Sequence, residues 1–354
     1  MGLIGSSAQI EASPVIPAAL VKERPTRLFD THGRTITDLR ISITDRCNYK
    51  CIYCRTGTMG AQFPELSFAE YLRVAKIGAS MGIAKIRLTG GEPLLRAGLV
   101  DFVRDLARIR NVDGNLLDIA ITTNGHLLAE LAQPLKDAGL RRVTVSMDAV
   151  DEEKFAAITR VPGSYPKVLA GVRAAKRAGL EPVKVNCVLL RGFNEDQIAP
   201  FARFAREEGV VVRFIEFMPL EEDRVWSPET VVRLPEVLAQ VNQYQPVIEI
   251  ERGVSETARR FVFDDGEGEI GIIASVSNAF CNHCSRIRLT SDGKLRTCLF
   301  STREHDLLGR MRSGADDEEL ASYLASVVMT KEEGHRIGEP DFVPASRTMV
   351  HIGG

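Results

Sequence analysis

The sequence predicts an α/β fold, a partial open (β/α)6 TIM-like barrel followed by a C-terminal α+β region. Three observations predict it. Six apolar, strand-like runs alternate with amphipathic helical stretches between residues 39 and 217, and such alternation specifies right-handed βαβ units around a parallel sheet. Six units suit an open barrel better than a closed eight-stranded one. The chemically suggestive motifs fall directly after these runs, where barrel folds place their sites. Beyond about residue 220 the rhythm gives way to short strands.

Taken in order, residues 1–25, MGLIGSSAQIEASPVIPAALVKERP, hold no sustained periodicity and read as a flexible extension. LRISIT (39–44) alternates as a strand does, and SFAEYLRVAKIGASMG (67–82) has helical spacing with a capping box from Ser67 to Glu70. KIRLT (85–89) is the second strand and GLVDFVRDLARIR (98–110) its helix. LLDIAIT (116–122) precedes the helix HLLAELAQPLKDAG (126–139), and RRVTVSM (141–147) precedes helices in DEEKFAAIT and YPKVLAGVRAAKRAG. VKVNCVLL (183–190), a helix within 195–209 and VVVRFIEF (210–217) complete the six units. A loop containing Trp226 and a helix near 230–242 come next. SRIRLTSDGKLRTCLF (285–300) reads as a hairpin turning at Asp292-Gly293, which returns Cys298 towards Cys281 and Cys284. The expected division is an extension over 1–25, a barrel over 26–220 and an auxiliary, substrate-binding region over 221–354.

The 354 residues carry 45 basic and 47 acidic side chains, a formal charge of −2. That balance argues against a generally nucleic-acid-binding or membrane-surface protein, so any anionic ligand must be met by local cations. No run of about 18 apolar residues occurs, and the N-terminus lacks the order of a secretory signal, so the chain reads as cytoplasmic. There, clustered cysteines are more often ligands or catalysts than disulfides.

Seven cysteines fall as two triads and one single residue. Cys187, within an apolar β-rich run, reads as a small buried hydrophobe. Cys47, Cys51 and Cys54 follow the first strand, and Cys281, Cys284 and Cys298 lie near the other end. A structural zinc site usually takes four protein ligands. His283, inside Cys281-x2-Cys284, is a fourth candidate with little geometric freedom, and His32 lies fifteen residues before the first triad. Three thiolates leave a coordination position open for a substrate or cofactor.

Cys47-x3-Cys51-x2-Cys54 on the first βα loop resembles the signature of the radical S-adenosylmethionine (SAM) superfamily, and TGGEP (89–93) after the second strand strengthens the likeness. Glycines there allow close backbone approach, and the carboxylate beside them can accept hydrogen bonds from an ammonium group. The plain alternative for GGEP is a turn with Pro93 opening a helix. The second triad, the opening FDTHGRTITDLRISITDRCNYKCIYC, TGGEPLLR and the terminal Gly-Gly closely resemble the GTP 3′,8-cyclase family of molybdenum cofactor biosynthesis, from about Leu28 to Gly354. The resemblance implies two [4Fe-4S] clusters. The first is held by Cys47, Cys51 and Cys54 and has its open iron chelated by SAM, and the second, on Cys281, Cys284 and Cys298, binds the guanine of GTP. It implies SAM contacts at Tyr53, Gly91, Ser146 and Met218. It implies GTP contacts at Arg40, Arg87, Thr122, Lys184 and the segment Arg286, Ile287, Arg288, with Lys85 and Arg213 as further cations of the cavity.

Cations on otherwise apolar parallel strands are costly to bury unless a ligand pairs them. By the same resemblance a deoxyadenosyl radical abstracts the C3′ hydrogen of GTP, C3′ bonds to C8, and reduction and protonation give 3′,8-cyclo-7,8-dihydro-GTP. Arg286, Arg288 and the tail Gly353, Gly354 are the catalytic candidates. An electron donor, a homodimer and cyclic pyranopterin monophosphate synthase, the next enzyme, are the implied partners, with neither nucleic acid nor membrane among them. The rival readings are a radical SAM peptide-modifying enzyme with an auxiliary cluster, and a non-catalytic metal-binding module.

Overall fold

The computed structural model describes residues 26–54, 61–253 and 256–353. The extension expected over residues 1–25 lies outside the described residues. Strands β1 (Asp38–Ser42), β2 (Lys85–Thr89), β3 (Asp118–Thr123), β4 (Arg142–Ser146), β5 (Lys184–Leu189) and β6 (Val211–Glu216) pair in chain order, all parallel. Between them run α1 (Phe68–Ser80), α2 (Leu99–Leu106), α3 (Leu128–Asp137), α4 (Glu152–Thr159), α5 (Tyr165–Arg177) and α6 (Ile198–Glu208). The six expected units are present.

After α7 (Leu234–Tyr244) the C-terminal region supplies β7 (Val247–Ile250), β8 (Arg259–Phe263), β9 (Glu269–Ile273), β10 (Arg286–Leu289), β11 (Lys294–Arg296) and β12 (His305–Asp306). These strands join the barrel's own sheet at both ends. β9 lies parallel beside β6 and β10 parallel beside β1, while β8 with β7 and β11 with β12 finish the two edges as antiparallel pairs. The result is one unclosed twelve-stranded sheet. The expected hairpin is β10–β11, with Leu289 opposite Leu295. Helices α8 (Leu307–Arg312), α9 (Asp317–Val328) and α10 (Met349–Ile352) complete the chain, and no described helix is long and apolar enough to cross a membrane.

Local chemistry explains the boundaries. Helix α1 starts where Glu70 N donates to Ser67 Oγ at 3.2 Å and Ser67 N donates to the Glu70 carboxylate at 2.7 Å. Helix α2 stops at Leu106, short of the expected Arg110, because Arg110 leaves the helix to bridge Leu116. The outward face of the strands is apolar: Ile41, Leu88, Ile121, Val145, Cys187 and Phe214 are all buried in one core beneath the helices. Each fully buried Val, Leu, Ile or Phe among them contributes about 1.5–3 kcal/mol. Cys187 is the small core residue its context predicted.

The inward face is different. A closed barrel fills its interior with branched apolar side chains. Here Arg40, Lys85, Arg87, Lys184, Asn186 and Arg213 point from alternate strand positions into open space, each half-buried.

Candidate active site

The loop after β1 carries Cys47, Cys51 and Cys54, and the loops after β2, β3 and β4 brace it. Gly91 N donates to Thr44 O at 2.8 Å and Glu92 N to Arg46 O at 2.7 Å. The two backbones pass so closely that a Cβ at Gly91 would stand 2.3 Å from the Arg46 carbonyl oxygen, so this turn requires glycine. Asn124 Nδ2 donates to Asn48 Oδ1 at 2.7 Å, and the Tyr53 hydroxyl donates to Asp148 Oδ2 at 2.6 Å. Asp148 Oδ1 accepts from Val188 N at 2.8 Å, yet burial still raises this carboxyl to about 6. Tyr49 N donates to Cys47 Sγ at 3.4 Å.

The carboxylate of TGGEP does not face a ligand. Glu92 is fully buried and accepts from Leu94 N, Thr123 Oγ1 and Asn124 N at 2.9, 2.7 and 2.6 Å, while burial raises it to about 7. It fixes the turn, and Gly91 faces the cavity instead.

The second triad sits at the far end of the strands. Cys281 and Cys284 precede β10, and Cys298 follows the antiparallel β11, so all three lie at the N-terminal end of β10. Because β10 parallels β1, this is the end opposite the first triad. Burial raises the Cys284 thiol, but the Arg286 and Lys331 cations outweigh it and bring the group to about 6, with Arg286 Nη2 donating to its sulfur at 3.4 Å. Burial, with the Asp148 charge adding to it, pushes the Cys51 thiol well up. His32 and His283 are exposed and outside the cavity wall, so neither adds to the three sulfurs of its triad; the histidine that lines the cavity is His335. Among the described residues no three Cys, His, Asp or Glu side chains converge as a cage for a single metal ion. Cubane iron–sulfur clusters are held by thiolates, each on a separate iron, and sulfur-only sets suit them.

One cavity of about 410 Å³ joins the two triads, and all six cysteines line it. Arg288, Arg40, Arg87, Ala120 and Arg142 stand in register across β10, β1, β2, β3 and β4, so four of these five adjacent positions carry a cation. Like charges on neighbouring strands repel. Burial, followed by the Arg286 and Arg87 charges, holds Arg40 well below the usual arginine range, and Arg288 is lowered the same way by burial and Arg40. Arg87 falls to about 9, Arg213 to about 10 and Lys184 to about 8, burial being the main cause each time. Arg87 Nη1 donates to Thr122 and Thr144 hydroxyls at 3.2 Å, and Arg213 Nε to Asn186 Oδ1 at 2.9 Å. These neutral partners position the guanidinium groups without neutralising them. A site built this way suits a polyanion.

Of the residues selected from sequence, Tyr53, Gly91, Ser146 and Met218 line this cavity, as do Arg40, Lys85, Arg87, Thr122, Lys184, Arg213, Arg286 and Arg288. The Ile287 side chain is buried in the core, because strand alternation sends it away from the face shared by Arg286 and Arg288, which leaves its backbone as the part that can meet GTP. Gly353, at φ +70, packs against Ser42 and Thr89, and its carbonyl accepts from Arg288. Gly354 lies outside the described residues. Sequence reasoning missed Arg142, Asn186 and His335, which also line the cavity. Arg142 could have been found by the test that found Lys184, a cation at the start of a barrel strand.

The chain is similar to known proteins over most of its length. Residues 41–205 match the Radical SAM superfamily, and residues 210–337 match Molybdenum Cofactor Synthesis C. A GTP 3′,8-cyclase of Thermodesulfovibrio yellowstonii is 43% identical over 310 residues, covering 86% of this chain and 94% of that protein. Those of Rhodopirellula baltica (43% over 338 residues, 93% of each) and Corynebacterium glutamicum (41% over 360 residues, 99% of this chain and 94% of that protein) are similar throughout. Among solved structures, Streptococcus suis SuiB bound to S-adenosylmethionine shares the fold at a TM-score of 0.57 and 13% identity, over 78% of this chain and 64% of that chain. The chain belongs to the GTP 3′,8-cyclase family of the radical SAM superfamily.

Proposed function

We propose that the chain converts GTP to (8S)-3′,8-cyclo-7,8-dihydroguanosine 5′-triphosphate, the first step of molybdenum cofactor biosynthesis. The observation that carries this reading is a single cavity with a cysteine triad at each end and a register of cations between them. Cys47, Cys51 and Cys54 would hold the [4Fe-4S] cluster whose open iron SAM would chelate, and Cys281, Cys284 and Cys298 would hold the cluster that would take guanine. When bound, the first cluster and SAM would supply the radical that removes hydrogen from C3′ of the ribose; C3′ would then bond to C8, with one electron and one proton taken up to give the 7,8-dihydro product.

The protein's own work is to bind, orient and exclude. Tyr53, Gly91, Ser146 and Met218 surround the SAM end, with Tyr53 fixed by Asp148. Arg40, Lys85, Arg87, Lys184 and Arg213 hold the triphosphate, aided by Thr122, while Arg286 and Arg288 lie between it and the second triad. Held at its two ends, GTP presents its ribose to the SAM end in a fixed orientation. Phe280, Phe300 and Met349 give the cavity wall an apolar part. The tail carbonyl of Gly353, on Arg288, completes the site. An electron donor, a homodimeric state, a cytoplasmic location and delivery of the product to cyclic pyranopterin monophosphate synthase belong to the same proposal. So does the division into a SAM-binding barrel and a substrate-binding C-terminal region.

Anaerobic incubation of reconstituted protein with SAM, a strong reductant and GTP tests it. The expected result is GTP-dependent formation of the cyclised triphosphate. SAM cleavage with no cyclised GTP product would overturn the reading.

A further inference from the structure

The FDTHGR stretch, residues 29–34, has no part in the chemistry above, yet its arginine is buried against the second triad. Arg34 is 8% exposed and held by Asp30, itself 5% exposed, through Nε–Oδ2 at 2.5 Å. Its two terminal nitrogens donate to three main-chain carbonyls: Nη1 to Cys281 at 2.9 Å and Glu333 at 2.7 Å, Nη2 to Glu332 at 2.5 Å. One of these carbonyls belongs to a cysteine of the triad. The other two belong to a strap, Lys331 to Gly334, that runs past all three cysteine segments.

The strap is fastened along its length. Lys331, 3% exposed, donates from Nζ to Arg286 O at 2.9 Å and also to Thr297 O, so one ammonium group ties the backbone after Cys284 to the backbone before Cys298. The Thr297 hydroxyl donates to the Glu332 carboxylate at 2.7 Å. At Gly334 the strap passes so close that a Cβ would lie 3.3 Å from Cys281 Cβ and 3.4 Å from its sulfur. His335, the next residue, lines the cavity. Two buried cations from opposite ends of the chain thus fix the main chain beside each cysteine. A guanidinium fork that satisfies three carbonyls sets direction as well as distance, which an ammonium group cannot do.

We propose that Arg34 and the Lys331–Gly334 strap are the positioning device of the second triad, holding Cys281, Cys284 and Cys298 ready for their cluster and setting that cluster's electronic environment. The proposal rests on the two-cluster reading. Buried positive charge and hydrogen bonding near an iron–sulfur cluster tune its potential and spectrum. Arg34 touches no substrate and acts only through the loop it holds.

The test uses two full-length backgrounds, one with Cys47, Cys51 and Cys54 changed to Ala and one with Cys281, Cys284 and Cys298 changed to Ala, each reconstituted anaerobically. With only the second triad present, Arg34→Gln is expected to lose on the order of half or more of the about four irons of a cubane cluster and to alter its paramagnetic resonance spectrum, with Arg34→Lys intermediate. With only the first triad present, iron content is expected to stay unchanged. Equal iron loss in both backgrounds, or an unaltered second-cluster spectrum, overturns the proposal. Gly334→Ala keeps Arg34 and crowds the Cys281 Cβ that carries the sulfur, so it is expected to shift the same spectrum, and an unshifted one removes the strap from the device. If the second triad binds no iron even with Arg34 intact, the two-cluster reading itself fails.

Discussion

Lys184 lies among buried cations, and burial, followed by Arg213, lowers its ammonium from the ordinary 10.5 to about 8. Two opposite pH effects follow. In the ligand-free chain the folded state binds fewer protons than the unfolded one between about 8 and 10.5, so this group makes the fold more stable as pH rises through that window. A polyanion needs the charged form, so GTP affinity is expected to fall as pH rises through 8. Calorimetric titration of GTP at pH 7 and pH 9 measures the second effect, and Lys184→Met is expected to weaken binding at pH 7 and flatten the profile. At this scale the sequence was partly legible. A cation at an alternating strand position declares itself, as Arg40, Arg87 and Lys184 did. Ile287 was selected with its segment, and since a pleated strand presents only every second side chain, its part falls to the backbone. Glu92 was misread because sequence does not show that Thr123 and Asn124 would occupy its oxygens.

The start of helix α1 was readable to within a residue because its signal is local. The reciprocal bonds of Ser67 and Glu70 satisfy two donors that a helix leaves open. Ser67→Ala is expected to cost about 1 kcal/mol of stability, seen as a lower denaturation midpoint with an unchanged slope. The tail element depends on distant partners instead. Arg347 makes a two-pronged pair with Asp292 at 2.8 and 2.9 Å and a third contact to Glu304 at 2.8 Å, placing α10 and Gly353 against Arg288. Arg347→Met is expected to lower cyclisation on the order of tenfold or more, as loss of positioning does, while leaving iron content unchanged. Product formation compared with iron per chain checks it. The hairpin at Asp292-Gly293 was also legible, since its turn residues are adjacent. Strands β9 and β10 were not placed from sequence because their partners β6 and β1 are remote and no alternating rhythm announces the pairing.

At the scale of the molecule, the barrel and the C-terminal region share one sheet and one cavity. The sequence announced two open triads but not their placement at opposite ends of the same strands, which follows from β10 lying parallel to β1. This shared sheet also fixes an order of events in time. Strand β1, which leads into the first cysteine loop, is made early, but the strand that covers its outer side is β10, made near the end of synthesis. At about 5–20 residues per second, β1 stays an open edge for on the order of tens of seconds. During that interval its unpaired backbone is a template for other chains, and its three thiols have no opposite wall. The newborn protein is therefore expected to pass through a stage in which β1 and its cysteine loop are exposed to aggregation and oxidation, and the last third of the chain closes that stage.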